Sequence, residues 1–173
     1  MKAEERREAI LSRLKGSAGP ISAAALAREY GVSRQVIVGD VALLRAFGNE
    51  ISATPRGYVL ERETGMIVRT LACVHSAEDM KRELDIMVDN GCIVRDVIVE
   101  HPIYGQLTGS LGLKSRYDVS QFVSRSAEAE ALPLSSLTDG LHLHSLLCPD
   151  AEAYNRVVAE LKEAGFLLSE EET

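Results

Sequence analysis

The sequence predicts an α+β protein of two domains, residues 1–60 and 66–173, joined at 61–65. Helix start and stop signals stand close together near the N-terminus, and a hairpin pattern follows them. Beyond the junction, apolar strands alternate with amphipathic helices, which is typical of an α/β sandwich with helices over a mixed or antiparallel sheet. The charge divides at the same place. The first domain holds nine Lys or Arg and six Asp or Glu, a net of +3, and the remainder carries −10.

The first domain centres on two short helices that meet at a tight corner. Ser22 is a good N-cap for a helix through Tyr30, and Gly31 supplies the left-handed residue that ends it. Ser33 then caps a second helix that begins at Arg34. Together with a preceding helix, the corner offers apolar positions for a small core: Ile10, Leu14, Ala25, Leu26, Val32, Val36, Ile37, Val41, Leu43 and Leu44. The pattern predicts a helix-turn-helix.

A β hairpin is predicted directly after this corner. One strand lies around Glu50 to Ala53, a turn covers Thr54 to Gly57, and a second strand runs through Leu60. A helix-turn-helix followed by such a hairpin is a winged helix-turn-helix, an architecture that binds double-stranded DNA.

The polar residues of this domain indicate how it would contact DNA. Ser33, Arg34 and Gln35 occupy the first turn of the recognition helix, and arginine and glutamine suit guanine and adenine. Arg45 lies near the end of that helix and Arg56 at the tip of the wing, where a guanidinium reaches phosphates or a minor groove. Each arginine alone is more simply a solvated surface charge. The three together favour a DNA-binding face.

The acidic remainder of the chain would repel a phosphate backbone, so we expect its ligand to be small or proteinaceous. No apolar run approaches the ~20 residues that span a bilayer, and the N-terminus is a charged helix start without a signal-peptide core. We therefore expect a cytoplasmic protein with no membrane partner. Cys73, Cys92 and Cys148 stand among apolar neighbours, which indicates buried thiols, and we assign them no chemistry.

Strands and helices are predicted in alternation through the second domain. Ser76 and Asp79 form a capping-box pattern at the start of its first helix. The predicted elements are a strand at 66–74, a helix at 76–90, a strand at 93–100, a glycine-rich stretch at 104–113, a helix opening near residue 116, a strand at 141–147, a helix at 151–164 and a short strand at 166–168.

One carboxylate is directed towards the core of this domain. Glu83 lies within the buried stripe formed by Met80, Leu84, Met87 and Val88 at helical spacing. A buried charge costs several kcal/mol unless it meets a cation or hydrogen-bond donors, so the sequence requires a partner for it.

Histidines or a metal ion would supply that partner. His142 and His144 alternate along one strand and project from one face, and His75 ends an earlier strand. With Glu83 they form a three-histidine, one-carboxylate set suited to zinc or nickel. The alternative is that His142 and His144 face solvent while Glu83 reaches out from the edge of its stripe. Leu141 and Leu143 lie on the opposite strand face, which leaves the direction of the imidazoles open.

Three further residues are candidates for binding a small ligand. His101 and Tyr104 lie in the rigid H-P-I-Y-G corner, a type of segment that often lines pockets. Arg116 stands in the first turn of a helix that Ser115 could cap with Asp118, where free amides and a guanidinium can hold a carboxylate. Arg116 as a plain surface residue remains the alternative.

With these residues in view, the chain resembles the niacin-responsive transcriptional repressors of NAD-biosynthesis and niacin-uptake genes in Gram-positive and related bacteria. The resemblance covers nearly the whole chain. Its motifs are S-R-Q-V-I-V-G-D-V-A-L-L-R at 33–45, V-H at 74–75, Glu83, H-P-I-Y-G at 101–105, S-R-Y-D-V at 115–119 and H-L-H at 142–144. Gly39 stands where related sequences often carry glutamine, which affects the expected operator preference.

The resemblance implies a biotin-repressor-like winged helix and a three-histidine regulatory domain. It also implies that His75, Glu83, His142 and His144 hold one nickel or zinc ion per chain. Nicotinic acid would be the corepressor and the DNA-bound form a homodimer. We expect the ligand's carboxylate or ring nitrogen to meet the ion, Arg116 or His101. The chain is then not an enzyme.

Two other functions remain open at this point. A metal-dependent hydrolase with a DNA-binding appendage would need a general base besides the metal ligands, and none is evident near H-L-H. A winged-helix regulator that senses an amino acid or a protein partner would keep the histidines as structural residues.

Overall fold

The computed structural model describes residues 1–61 and 65–168. The chain divides into two compact units, Met1–Glu63 and Thr64–Thr173. No helix among the described residues is long and apolar enough to cross a bilayer.

The first unit is a winged helix-turn-helix, as predicted. Its elements are α1 (Ala3–Lys15), α2 (Ala23–Tyr30), α3 (Arg34–Ala46) and an antiparallel hairpin of β1 (Ile51–Thr54) and β2 (Gly57–Leu60). The Ser22 hydroxyl accepts from the Ala25 amide at 3.1 Å and the Ser33 hydroxyl from the Val36 amide at 3.3 Å. Gly31 ends α2 at φ +65°, so the corner forms from the predicted caps.

The core of this unit differs from the prediction at two positions on α3. Ile37, Val41 and Leu44 are buried, whereas Val36 is 38% and Leu43 45% exposed. Residues seven apart on a helix share one face, and this face is turned away from the small core. The prediction that both residues belong to the core was therefore wrong.

The hairpin is fixed to the start of α2 by its backbone. Tyr58 donates its amide to the Ile21 carbonyl at 2.8 Å and accepts from the Ile21 amide at 2.9 Å. Gly57 has φ +136°, and a Cβ at this position would lie 2.4 Å from Ile21 backbone atoms. Only glycine fits this close approach.

The second unit packs helices against a four-stranded sheet. Its strands are β3 (Ile67–Val74), β4 (Ile93–His101), β5 (Gly105–Leu113) and β6 (Leu141–Cys148), in the antiparallel order β3-β6-β4-β5. The helices are α4 (Met80–Asp89), α5 (Arg116–Glu128) and α6 (Ala151–Glu163), with 3-10 turns at Ala77–Asp79 and Leu134–Thr138. The predicted α+β sandwich is confirmed, and the sheet is antiparallel.

Three details of this unit differ from the sequence-based expectation. The glycine-rich stretch is strand β5, whose Leu111 and Leu113 point into the core. Within residues 166–168, Leu167 forms an isolated β-bridge with Cys73, and the segment is not a strand. A 3-10 turn precedes α4, and the Ser76 side chain makes no capping bond there, so the predicted capping box is absent.

The core lies between the helices and one face of the sheet. Alternate residues of β6, from His142 to Cys148, are buried on that face, while Leu141 is exposed on the other. The two β6 histidines therefore point towards the helices, which settles the direction left open by the strand pattern.

Candidate metal centre

Three histidines surround one buried carboxylate in the second unit. The side chain of Glu83 is 1% exposed on α4, and its two oxygens face three imidazole nitrogens. Oε2 lies 2.7 Å from Nε2 of His75. Oε1 lies 2.9 Å from Nε2 of His142 and 3.4 Å from Nε2 of His144. The structure thus brings together all four residues predicted as metal ligands.

Each imidazole is oriented by a backbone carbonyl at its other nitrogen. The Nδ1 contacts are Ser76 O at 2.7 Å for His75, Gly140 O at 2.8 Å for His142 and Asp96 O at 2.6 Å for His144. A carbonyl only accepts, so Nδ1 carries the proton in each ring. When the ring is neutral, the lone pair of Nε2 is directed at Glu83.

This arrangement requires a proton or a metal ion between its polar atoms. Three lone pairs and a carboxylate repel one another at these distances unless a proton or a metal ion lies between them. Burial alone would raise the pKa of Glu83, but the facing imidazoles of His144, His142 and His75 hold it well below its usual range. Burial acts to lower the pKa values of His75 and His144, and the Glu83 carboxylate raises both overall.

The donor set fits a transition metal ion. Three imidazole nitrogens and one carboxylate suit a borderline metal such as zinc or nickel. A carbonyl bound to the distal ring nitrogen is the usual support of a metal-ligating histidine. Nε2 of His75 is buried and lies 2.7 Å from a Glu83 oxygen, but without the geometry of a hydrogen bond. A metal ion would engage both atoms.

Sequence reasoning missed one donor at this centre. Cys73 lies opposite His142 in the β3–β6 pairing and is fully buried. Donor atoms of Cys73, Glu83 and His142 lie within 4.8 Å of one another. Burial and the Glu83 carboxylate raise the pKa of the Cys73 thiol. Strand alternation with His75, two residues on, was the signal that could have identified it.

An open cavity lies beside His75. Its volume is about 330 Å³. It is lined by His75, Ser76, Ala77, Ser135, Ser136, Asp139 and Gly140, and we call it the serine cavity.

None of the three predicted ligand-binding residues lines the serine cavity. His101 and Tyr104 stack with ring centroids 5.1 Å apart at the β4–β5 turn, where the Nδ1 of His101 accepts from nearby amides. Arg116 makes a bidentate pair with Asp89, at 2.7 and 2.6 Å. The structure therefore does not bring His101, Tyr104 or Arg116 to the histidine cluster.

The predicted DNA contacts occupy two settings in the first unit. Ser33 caps α3, and Arg34 and Gln35 are exposed in its first turn. Arg45 donates Nε to the Ile51 carbonyl at 2.7 Å and lies over the ring of a wing tyrosine, so it also holds the wing. Arg56 lies partly buried at the hairpin tip.

Comparison with known proteins places both units in described families. Residues 6–59 match the HTH domain family, and residues 68–170 match the 3H domain family. The chain is 45% identical over 167 residues to a protein named "Probable transcription repressor NiaR" from Thermotoga maritima, covering 96% of this chain and 95% of that protein. It is 40% identical over 169 residues to "Transcription repressor NadR" from Bacillus subtilis, covering 95% and 94%.

Both relatives are named as repressors and neither as an enzyme, which removes the hydrolase alternative. The predicted resemblance is confirmed. The chain belongs to the family of NiaR- and NadR-type transcription repressors, which join an N-terminal HTH domain to a C-terminal 3H domain.

Proposed function

We propose that this repressor controls NAD-biosynthesis or niacin-uptake genes and uses nicotinic acid as its corepressor. The repressor would act in the cytoplasm as a homodimer that presents two winged helices to two half-sites of an operator. Nicotinic acid would favour the dimer arrangement in which both recognition helices fit the DNA.

One observation carries the regulatory part of this proposal. Three imidazole Nε2 atoms face a single buried carboxylate, and each ring is fixed by a carbonyl at Nδ1. A core of this kind is costly unless a cation occupies it, so it supports a metal site over structural histidines. His75, Glu83, His142 and His144 would hold one nickel or zinc ion, which would supply a Lewis-acidic positive charge for an anionic ligand.

The DNA-binding part rests on the first turn of α3. Arg34 and Gln35 are exposed there and suit base edges in a major groove, and Ser33 caps the same turn. Arg45 and Arg56 would contact the backbone or minor groove beside the wing. His101, Tyr104 and Arg116 stay predictions as ligand contacts, and Arg116 would have to leave Asp89 to bind a carboxylate.

Operator binding measured with and without nicotinate tests the proposal. We expect nicotinate to raise operator affinity of the metal-loaded protein by 5- to 150-fold, roughly the usual range of allosteric coupling, and nicotinamide to have a smaller effect. Operator must raise nicotinate affinity by the same factor. An operator affinity unchanged by saturating nicotinate would refute the corepressor role and leave the family assignment intact.

A further inference from the structure

We infer that the corepressor binds in the serine cavity, with the Ser135 hydroxyl as its recognition group. The inference rests on the proposed function and moves the ligand away from the surface around His101 and Arg116. It also limits the ligand to a small acid with a single negative charge.

The cavity shares a residue with the metal centre. His75 directs Nε2 at Glu83, and the same residue forms one wall of the cavity. A ligand held there would lie against a proposed metal ligand, which is the contact that coupling between ligand and metal requires. No such contact exists for His101, Tyr104 or Arg116 within the described residues.

Ser135 is the most buried serine of the cavity wall. The residue is 7% exposed, so more than nine tenths of it is buried. Its carbonyl accepts from the Gly140 amide at 2.8 Å and the Thr138 hydroxyl at 3.2 Å. Ser135 lines the cavity, so its hydroxyl would bond to a ligand oxygen in place of water.

Backbone hydrogen bonds through Gly140 fix the positions of His75 and Ser135 in the cavity wall. Gly140 has φ +91°, and a Cβ there would lie 2.4 Å from the His75 carbonyl oxygen. The Gly140 carbonyl accepts from the His75 amide at 3.4 Å, while its amide reaches Ser135. The hydroxyl of Ser135 and the ring of His75 are therefore tied to one short loop.

Size and charge define the class of ligand. A volume of about 330 Å³ lies at the small end of ligand pockets, which suits a single-ring acid and excludes a dinucleotide. Among the described residues no lysine or arginine lines the cavity, so the metal ion would provide the charge that balances one carboxylate. Asp139 also lines it and would repel a second negative charge, as on a pyridine dicarboxylate.

Calorimetry on the untagged, metal-loaded full chain tests the assignment with nicotinate as the probe. Ser135→Ala removes the hydroxyl without adding bulk and should weaken nicotinate binding about 10-fold. Ser136 is exposed, so Ser136→Phe should fold and fill the cavity, with a loss of more than 10-fold. Metal content should stay at one ion per chain in both variants. The control Ser124→Ala, at an exposed serine of α5, should bind like the wild type.

Each result separates the inference from the proposed function. Wild-type protein that binds no nicotinate when metal-loaded overturns both. Nicotinate binding that survives unchanged in Ser135→Ala and Ser136→Phe overturns the inference alone, as does a loss confined to Arg116→Ala. Binding of quinolinate or NAD as tightly as nicotinate contradicts the assigned ligand class.

Discussion

Replacing Glu83 by glutamine removes the charge at the centre of the histidine cluster and keeps the shape of the side chain. In the metal-free protein the new amide can donate to imidazole lone pairs, so the variant should fold. In the loaded protein it removes the one carboxylate that faces all three imidazoles. Removing supporting groups around metals costs about 10- to 100-fold in affinity, and a charged, buried ligand should cost at least ~100-fold.

Thermal unfolding with and without metal measures this loss. Metal at ~100 times the wild-type Kd should add about 2.7 kcal/mol to the free energy of unfolding, a rise in Tm of roughly 5–11 °C for a protein of 173 residues. If Glu83→Gln weakens binding ~100-fold, the same metal concentration adds only about 0.4 kcal/mol, or roughly 1–2 °C. Glu78→Gln, at an exposed carboxylate in the preceding 3-10 turn, is the matched control and should respond like the wild type.

The result that refutes this reasoning is specific. If metal raises the Tm of Glu83→Gln as much as that of Glu78→Gln, the carboxylate does not bind the ion.

Three further predictions address the wing, the recognition helix and the cysteine beside the cluster. Gly57→Ala should destabilise the first unit by more than about 2 kcal/mol, because the new Cβ would lie 2.4 Å from backbone atoms. Gly39→Ala should stabilise the unit by ~1 kcal/mol, because Gly39 lies in the middle of a helix and a Cβ there meets no atom within 4 Å. Equal denaturation midpoints of the two variants would contradict this prediction. Arg34→Ala should weaken operator binding roughly 5- to 150-fold, measured by fluorescence anisotropy, and relax the preference at one base pair; a uniform loss across sequences would indicate a phosphate contact instead. Cobalt-loaded protein should lack thiolate charge-transfer absorption, because burial raises the pKa of the Cys73 thiol and the three histidines with Glu83 complete the ligand set; a band that Cys73→Ala abolishes and Cys92→Ala retains would add Cys73 to the ligands.

Local signals explain why much of the first unit could be predicted. The helix caps at Ser22, Gly31 and Ser33 involve only residues close to them in sequence. They therefore form independently of how the helices pack against each other. The periodicity of apolar residues predicted that α3 is amphipathic, but it did not predict which of these residues the small core covers. Val36 and Leu43 were therefore placed on the wrong side.

The cluster of three histidines and Glu83 was predictable where a single helix or strand carries the pattern. The position of Glu83 within a buried helical stripe predicts that its carboxylate faces the core. Strand alternation predicts that His142 and His144 lie on one face. Cys73 was missed although strand alternation places it on the same face as His75, and its closeness to His142 follows from the pairing of β3 with β6, which are far apart in sequence.

The proposed ligand site depends on contacts that carry no sequence pattern. The wall of the serine cavity is a 3-10 turn and a loop at residues 134–140, which meets His75 only through the tertiary fold. The glycines of β5 concealed a strand, because glycine weakens the alternation that identifies one. The H-P-I-Y-G corner was predicted to contact the ligand because its proline and its turn are visible in the sequence.

A crystal structure of the untagged protein, with data collected at the absorption edge of its bound metal, tests the central claim most directly. We predict one anomalous peak per chain, bonded to Nε2 of His75, His142 and His144 at about 2.0–2.1 Å and to a Glu83 oxygen. Full-length protein that carries no stoichiometric metal, or a peak elsewhere while the imidazoles still contact Glu83 directly, would contradict the account.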